Sequence, residues 1–266
     1  MNEKIVFILP KSMEEALCAL PVVTHYMVQR RIVGRSSENV FVVTELDELT
    51  SLIVAGWRFA QVRGTLDEAD RDSADLLFEF STENAYKMTS VSQKHITDAF
   101  SMQLGVAVLK KLPAILVETC ADEDLSSVLY IARSCHDAPR NWDWPHLEEF
   151  VDIAERNKIR MSVLDEDASY EELRVAIARA SVVVGVRGTG TLMAAAVNKI
   201  TMELSPDTHE HRHWMPKWEN GRYRMVYGPL ENMAAEFIWQ RTRMLAEDVN
   251  QKRKAAEHLA LVKEAF

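Results

Sequence analysis

Residues 180–206 read "ASVVVGVRGTGTLMAAAVNKITMELSP". A Val-rich run, 181–186, fits a strand buried on both faces, and a glycine turn, a short Ala-rich helix and a second run at 200–204 follow it. That order is a βαβ unit, which implies a parallel sheet. A strand, glycine turn and helix also make an anion cradle: the backbone amides of Gly188, Thr189 and Gly190, the helix dipole and Arg187 can together hold a diphosphate. No Gly-Lys-Ser/Thr follows, so the turn is not a Walker loop, and it matches the dinucleotide fingerprint poorly. A purely structural turn, whose glycines serve positive φ and close packing, explains the same residues.

The same rhythm extends in both directions. Upstream, "KIVFIL" 4–9, a helix over 13–31, "NVFVV" 39–43, a helix over 45–55, "RFAQV" 58–62 and "DLLFEF" 75–80 alternate as βαβ units do. "AILV" 114–117 closes that half, and the acidic "ETCADEDLSS" 118–127 reads as a linker. "VLYIA" 128–132, a helix beginning at Pro145, "RMSVL" 160–164 and a helix over 169–180 lead back to the opening stretch. Ser169 and Glu172 form a capping-box spacing. The expected domains are 1–117, a linker 118–127, 128–229 and a helical segment 230–266. The fold class is α/β, with two Rossmann-like doubly wound domains facing a cleft and ligands bound outside the carboxyl ends of the strands.

Composition narrows the function. The 266 residues, 47% hydrophobic, support large cores without staples. A formal charge of -9 disfavours nucleic acid as a partner. The cysteines Cys18, Cys120 and Cys135 are odd in number and widely spaced, so a disulfide framework is not indicated and a reducing compartment is the simpler reading. No stretch reaches the roughly 20 apolar residues of a membrane span, and the first apolar run does not fit a cleaved signal. The expected location is the cytoplasm, with contact at a membrane surface left open.

Three further places carry chemistry. In "LPKSMEEALCALP", residues 9–21, Ser12 and Glu15 have capping-box spacing, yet Glu14 and Glu15 also stand at a helix N-terminus just after the first strand. A carboxylate there stays ionised and can serve as a general base if a hydroxyl is well placed. Lys11, Ser12 and Glu14 are its neighbours on an acceptor. The loop "RSCHDAPRNWDW", 133–144, carries Arg133, Ser134 and Arg140, of which Arg140 can bind phosphate bidentately. Cys135 and His136 are a poor dyad, since sequence neighbours seldom converge. "DED" 165–167 follows a strand as a ribose-binding acid does, giving Glu166 a donor role, although acids also suit a helix N-terminus. His209, His211 and His213 alternate as metal ligands can, but the pattern equally suits a polar loop, so no metal and no cofactor are expected.

Taken together these segments resemble glycosyltransferase family 9, the heptosyltransferases that move a sugar from ADP-heptose to lipopolysaccharide core on two Rossmann-like domains. The likeness runs from about 4 to 230. "SMEEALCALPVV" is similar to the family's Gly-Asp and Leu-x-x-Leu-Pro helix, with Glu15 where the family has its Asp base. "ADLLFEF" 74–80 and "HITDAFSMQLG" 95–105 resemble the acceptor-side strand and helix, and "VLYIARSCHDAPRNWDWPHLEEFVDIA" the donor-side phosphate loop, with Arg140 at a lysine position. The stretch 180–206 is the most specific match. Gly188 and Met193 depart from it, where the family has Asp or Asn and His.

The resemblance implies a metal-independent, inverting glycosyltransferase. Its catalytic base is Glu15. Arg133, Ser134, Arg140, Glu166, Arg187, Gly188, Thr189 and Gly190 bind the nucleotide-sugar donor, and a saccharide or other hydroxyl compound is the acceptor. Two alternatives stand beside it: a catalytically degenerate relative that binds nucleotide, sugar or a partner protein, and a transferase acting on modified DNA bases.

Overall fold

The structure, a computed structural model, describes residues 3–30, 39–46, 49, 60–81, 83, 96–107, 125–132, 143–164, 168–206 and 221–264. The chain divides into two compact units: 1–117 with 208–217, and 118–207 with 218–266.

In unit 1, β1 (Ile5–Ile8), β2 (Val40–Val43), β3 (Gln61–Arg63) and β4 (Leu76–Glu79) form one parallel sheet in the order β3-β2-β1-β4. Ile5 pairs with Val40 on one side and Leu76 on the other. The helix α1 (Met13–Gln29) returns from β1 and buries Leu17, Leu20, Val23 and Met27. Aromatic rings fill the space it covers: Phe7 lies 5.6 Å from Tyr26 and 5.4 Å from Phe78. Phe80 lies 5.3 Å from Phe100 on α3 (Ile96–Gln103). Such offset and edge-on pairs contribute beyond their buried area. The short α2 (Glu68–Asp72) is capped by Asp67, whose side chain accepts from the Asp70 amide at 2.6 Å.

Asp70 ties α2 to the sheet. It pairs with Lys4 at 2.6 Å and with the Arg63 guanidinium. The hydrogen bond from Lys4 holds its carboxyl below the ordinary carboxylate range; burial opposes it, and the Arg63 charge adds to the lowering. A carboxyl so lowered adds stability above its unfolded pKa and loses it as pH falls through the folded one. Asp70→Asn is therefore expected to lower the melting temperature of unit 1 at neutral pH. The gap should close as the pH drops below the ordinary value of 3.8, which thermal unfolding across a pH series measures.

Unit 2 holds a second parallel sheet of β5 (Ser127–Ile131), β6 (Arg160–Leu164), β7 (Val182–Val186), β8 (Ile200–Ser205) and β9 (Tyr223–Tyr227), in the order β6-β5-β7-β8-β9. The helices are α4 (Leu147–Arg156), α5 (Tyr170–Arg179), α6 (Thr189–Ala196) and α7 (Ala235–Glu264). Trp144 anchors the core: its ring lies 5.4 Å from Phe150, and its indole N–H donates to the Met233 carbonyl at 2.8 Å. Trp239 of α7 completes the cluster 5.7 Å from Phe150. Residues 251–260 of α7 are all exposed.

Among the described residues the expected strands and helices are present, and the differences are local. The capping box at Ser169 forms: the Glu172 amide donates to its hydroxyl at 3.3 Å, and its own amide donates to Glu172 at 2.8 Å. The one expected at Ser12 does not, for Ser12 is the N-cap of α1 without a side-chain cap bond. Pro145 stands two residues before α4 and not in its first turn. The first residue of β5 is Ser127, the last residue of the expected linker. A 3-10 turn at Leu230–Asn232 opens the C-terminal segment before α7. The expected helix over 45–55 and strand "AILV" lie outside the described residues, apart from 45, 46 and 49.

Candidate functional site

A cavity of about 720 Å³ opens at the carboxyl ends of the unit 1 strands, within the size range of small-molecule sites. Sheet order explains its place. Strands β2 and β3 extend the sheet to one side of β1 and β4 to the other, so the order reverses at β1, and loops leaving on opposite sides there part to leave a crevice. Pro10, Lys11, Ser12 and Glu15 reach it from the end of β1 and the start of α1. Glu45 follows β2, Gly64 and Thr65 follow β3, and Glu79, Phe80 and Ser81 come from β4. Three of the residues singled out in the sequence, Lys11, Ser12 and Glu15, thus meet in one cavity. Glu14 is half-buried and does not line it.

Because Ser12 makes no cap bond, Glu15 is not committed to a capping box, and its carboxylate is a wall of the cavity. Among the described residues the wall carries two cations, Lys11 and Arg71, and both are in ion pairs. Lys11 reaches Glu45 at 3.1 Å, and Arg71 reaches Glu79 at 3.0 Å. All four side chains are at least half exposed, so each pair contributes little to stability.

In unit 2 the corresponding reversal lies between β5 and β7, and the turn 187–190 leaves β7 beside it. Gly188 is the N-cap of α6 with φ 165°, extended backbone open to any residue, so its being glycine does not serve a left-handed turn. The first turn of α6 contains no acid of its own. Gly188, Thr189 and Gly190 are buried. Arg187 is buried as well, only 4% exposed, and shares the interior with Glu203 and Tyr223. Burial, and after it the Glu203 charge, push the Tyr223 hydroxyl up, while Arg187 pulls it down. Arg187, expected to help hold a diphosphate, is thus an interior residue.

Glu203 itself went unread in the sequence. The Thr191 hydroxyl donates to its carboxylate at 2.7 Å and stands 3.0 Å from the Gly188 carbonyl, while the Gly188 amide points at that hydroxyl from 3.3 Å. The first turn of α6 is thus fastened to β8. Gly185 lets α6 come that close: a Cβ there would sit 2.7 Å from the Ile131 carbonyl and 3.1 Å from Thr191 Cγ2. An acid inside a strand that otherwise reads as apolar was the available sign.

Arg133, Ser134, Arg140 and Glu166 lie outside the described residues, as do Cys135, His136 and the histidines at 209, 211 and 213. Among the described residues no group of three or more His, Cys, Asp or Glu is placed to hold a metal, and no helix is long and apolar enough to cross a membrane.

No protein-family model matches the sequence, and no curated protein matches it significantly. Solved structures do match. The E. coli heptosyltransferase WaaC with ADP-2-deoxy-2-fluoro heptose aligns over 89% of this chain and 98% of its own, at 13% identity and a TM-score of 0.59. A glycosyltransferase family 9 protein from Veillonella parvula aligns over 93% and 98%, at 9% identity and a TM-score of 0.66. The dodecameric, iron-containing glycosyltransferase TibC from enterotoxigenic E. coli aligns over 85% and 63%, at 11% identity and a TM-score of 0.57. The chain has the α/β fold of these heptosyltransferase-like proteins, two parallel sheets flanked by helices.

Proposed function

We propose that the chain is a glycosyltransferase that moves a sugar from a nucleotide-sugar donor to an acceptor hydroxyl, inverting the anomeric carbon without a metal ion. The observation that carries this reading is Glu15 on the wall of the 720 Å³ cavity, free of the capping role its spacing suggested, in a fold shared with heptosyltransferases. The name of one neighbour includes an ADP-sugar, which supports a nucleotide-sugar as donor.

In this reading unit 1 takes the acceptor, held near Lys11 and Ser12, with Glu14 beside the cavity and not on its wall. Glu15 accepts the proton of the acceptor hydroxyl as its oxygen attacks the anomeric carbon. The new C–O bond forms as the bond from that carbon to the diphosphate breaks, and the electron pair leaves with the nucleoside diphosphate. A single attack from the opposite face inverts the centre. Unit 2 takes the donor: the amides of Gly188, Thr189 and Gly190 at the start of α6 stabilise the charge on the leaving diphosphate, as fixed dipoles do without reorganising. Arg133, Ser134 and Arg140, after β5, and Glu166, after β6, belong to the same donor site, with the cytoplasm as its setting. Arg187, at the start of that turn, belongs to the donor site as well.

One observation favours a second reading, a degenerate relative that binds without transferring. Gly188 offers α6 no side-chain cap, and Met193 is buried in the core, so neither supplies a polar group to a donor. Calorimetric titration of the purified chain with ADP-, UDP-, GDP- and CMP-sugars and their nucleoside diphosphates separates the two. The transferase reading expects selective binding of one base in the micromolar range, about -8 kcal/mol. A folded protein that binds none of them overturns it.

A further inference from the structure

We propose that the unit 1 cavity takes an uncharged or amine-bearing polyhydroxyl compound and discriminates against one bearing a carboxylate or phosphate. Calling that compound the acceptor rests on the transferase reading; the charge selection rests on the cavity alone. Among the described residues its wall carries three carboxylates, Glu15, Glu45 and Glu79, against two cations, Lys11 and Arg71. Both cations are taken, at 3.1 Å by Glu45 and at 3.0 Å by Glu79. To hold an anion, Lys11 or Arg71 must exchange its carboxylate for that of the ligand. The displaced Glu45 or Glu79 then faces the newcomer across the same cavity, so the exchange gains nothing and adds repulsion.

A neutral compound leaves both pairs intact and meets Ser12, Thr65 and Ser81, hydroxyls that donate and accept and so suit a polyol. An ammonium group is favoured by the net charge of the wall, three carboxylates against two cations. The pairs are exposed, so the selection weakens as salt rises.

The test compares three pyranoses that differ chiefly in charge, glucose, protonated glucosamine and glucuronate, by ligand-observed NMR titration of the full chain at low and high salt. Glucose and glucosamine are expected to bind at least tenfold more tightly than glucuronate, with the gap narrowing in salt. Glu45→Gln combined with Glu79→Gln releases Lys11 and Arg71, and glucuronate should then gain at least tenfold relative to glucosamine. Because both pairs are exposed, the double variant should fold, which its melting curve checks. Binding of glucuronate as tight as that of glucose, an order the double variant leaves unchanged, or no binding of any of the three overturns the proposal. The order needs no donor. If it holds while no nucleotide-sugar is bound, the transferase reading falls and the selection stands. If transfer occurs but runs best to an anionic acceptor, the reverse is true.

Discussion

Replacing Glu15 by Gln is expected to cut sugar transfer roughly a hundred- to ten-thousandfold, the span that a positioned general base contributes. Donor affinity should not change, because a base acts only in the chemical step, so the loss should fall on kcat with the nucleotide Kd intact. The structure sharpens this expectation. Had Ser12 and Glu15 formed a reciprocal cap, the substitution would also have cost the start of α1, but no side-chain cap bond exists to lose. Melting temperature should therefore stay within about a degree, since a surface substitution away from such features usually changes stability by under about 0.5 kcal/mol. Glu14→Gln, one residue away and off the cavity wall, should lose far less activity. Transfer that survives Glu15→Gln removes Glu15 from the chemistry.

The second large effect concerns stability. Gly185→Val places a branched side chain where even a Cβ meets the Ile131 carbonyl at 2.7 Å. Ile131 is the residue of β5 that pairs with Gly185, so the obstruction is backbone of the neighbouring central strand and cannot swing aside. On the other side stands Thr191, already engaged with Glu203 at 2.7 Å. Overpacking a core commonly costs about 1–3 kcal/mol, and a rigid obstruction on one side with a fastened helix on the other places Val at about 3 kcal/mol or more. Thermal unfolding should show unit 2 destabilised by something on the order of 10 °C, with Gly185→Ala intermediate. A Gly185→Val protein that melts like the parent removes the close seating of α6 on β7.

Strands such as β2 and β7 were legible in the sequence because every residue of each is buried, so that they read as near-continuous Val-rich runs. β9 was not legible: only Tyr223 of its five residues is buried, and Arg224 interrupts the run, so nothing marks "YRMVY" as a fifth strand except its place beside β8. The two capping-box spacings show the limit of local patterns. Ser-x-x-Glu occurs at 12–15 and at 169–172, and only the second closes, because a spacing makes the bonds reachable while the surroundings decide whether they form. Lys11, Ser12 and Glu15 were found through the rule that ligands gather beyond strand ends. Glu45, Thr65 and Glu79 reach the same cavity from three other strands, and no motif joins residues that distant in sequence.

The outer part of α7 has a practical consequence. Residues 251–260 are exposed on all sides, and the helix keeps its form there with i,i+4 pairs such as Lys252 with Asp248 at 2.7 Å and Arg253 with Glu257 at 3.3 Å. No side chain in that stretch belongs to the unit 2 core. It is a natural handle: a fluorophore or surface tether attached there would carry the protein into binding assays without disturbing what folds it.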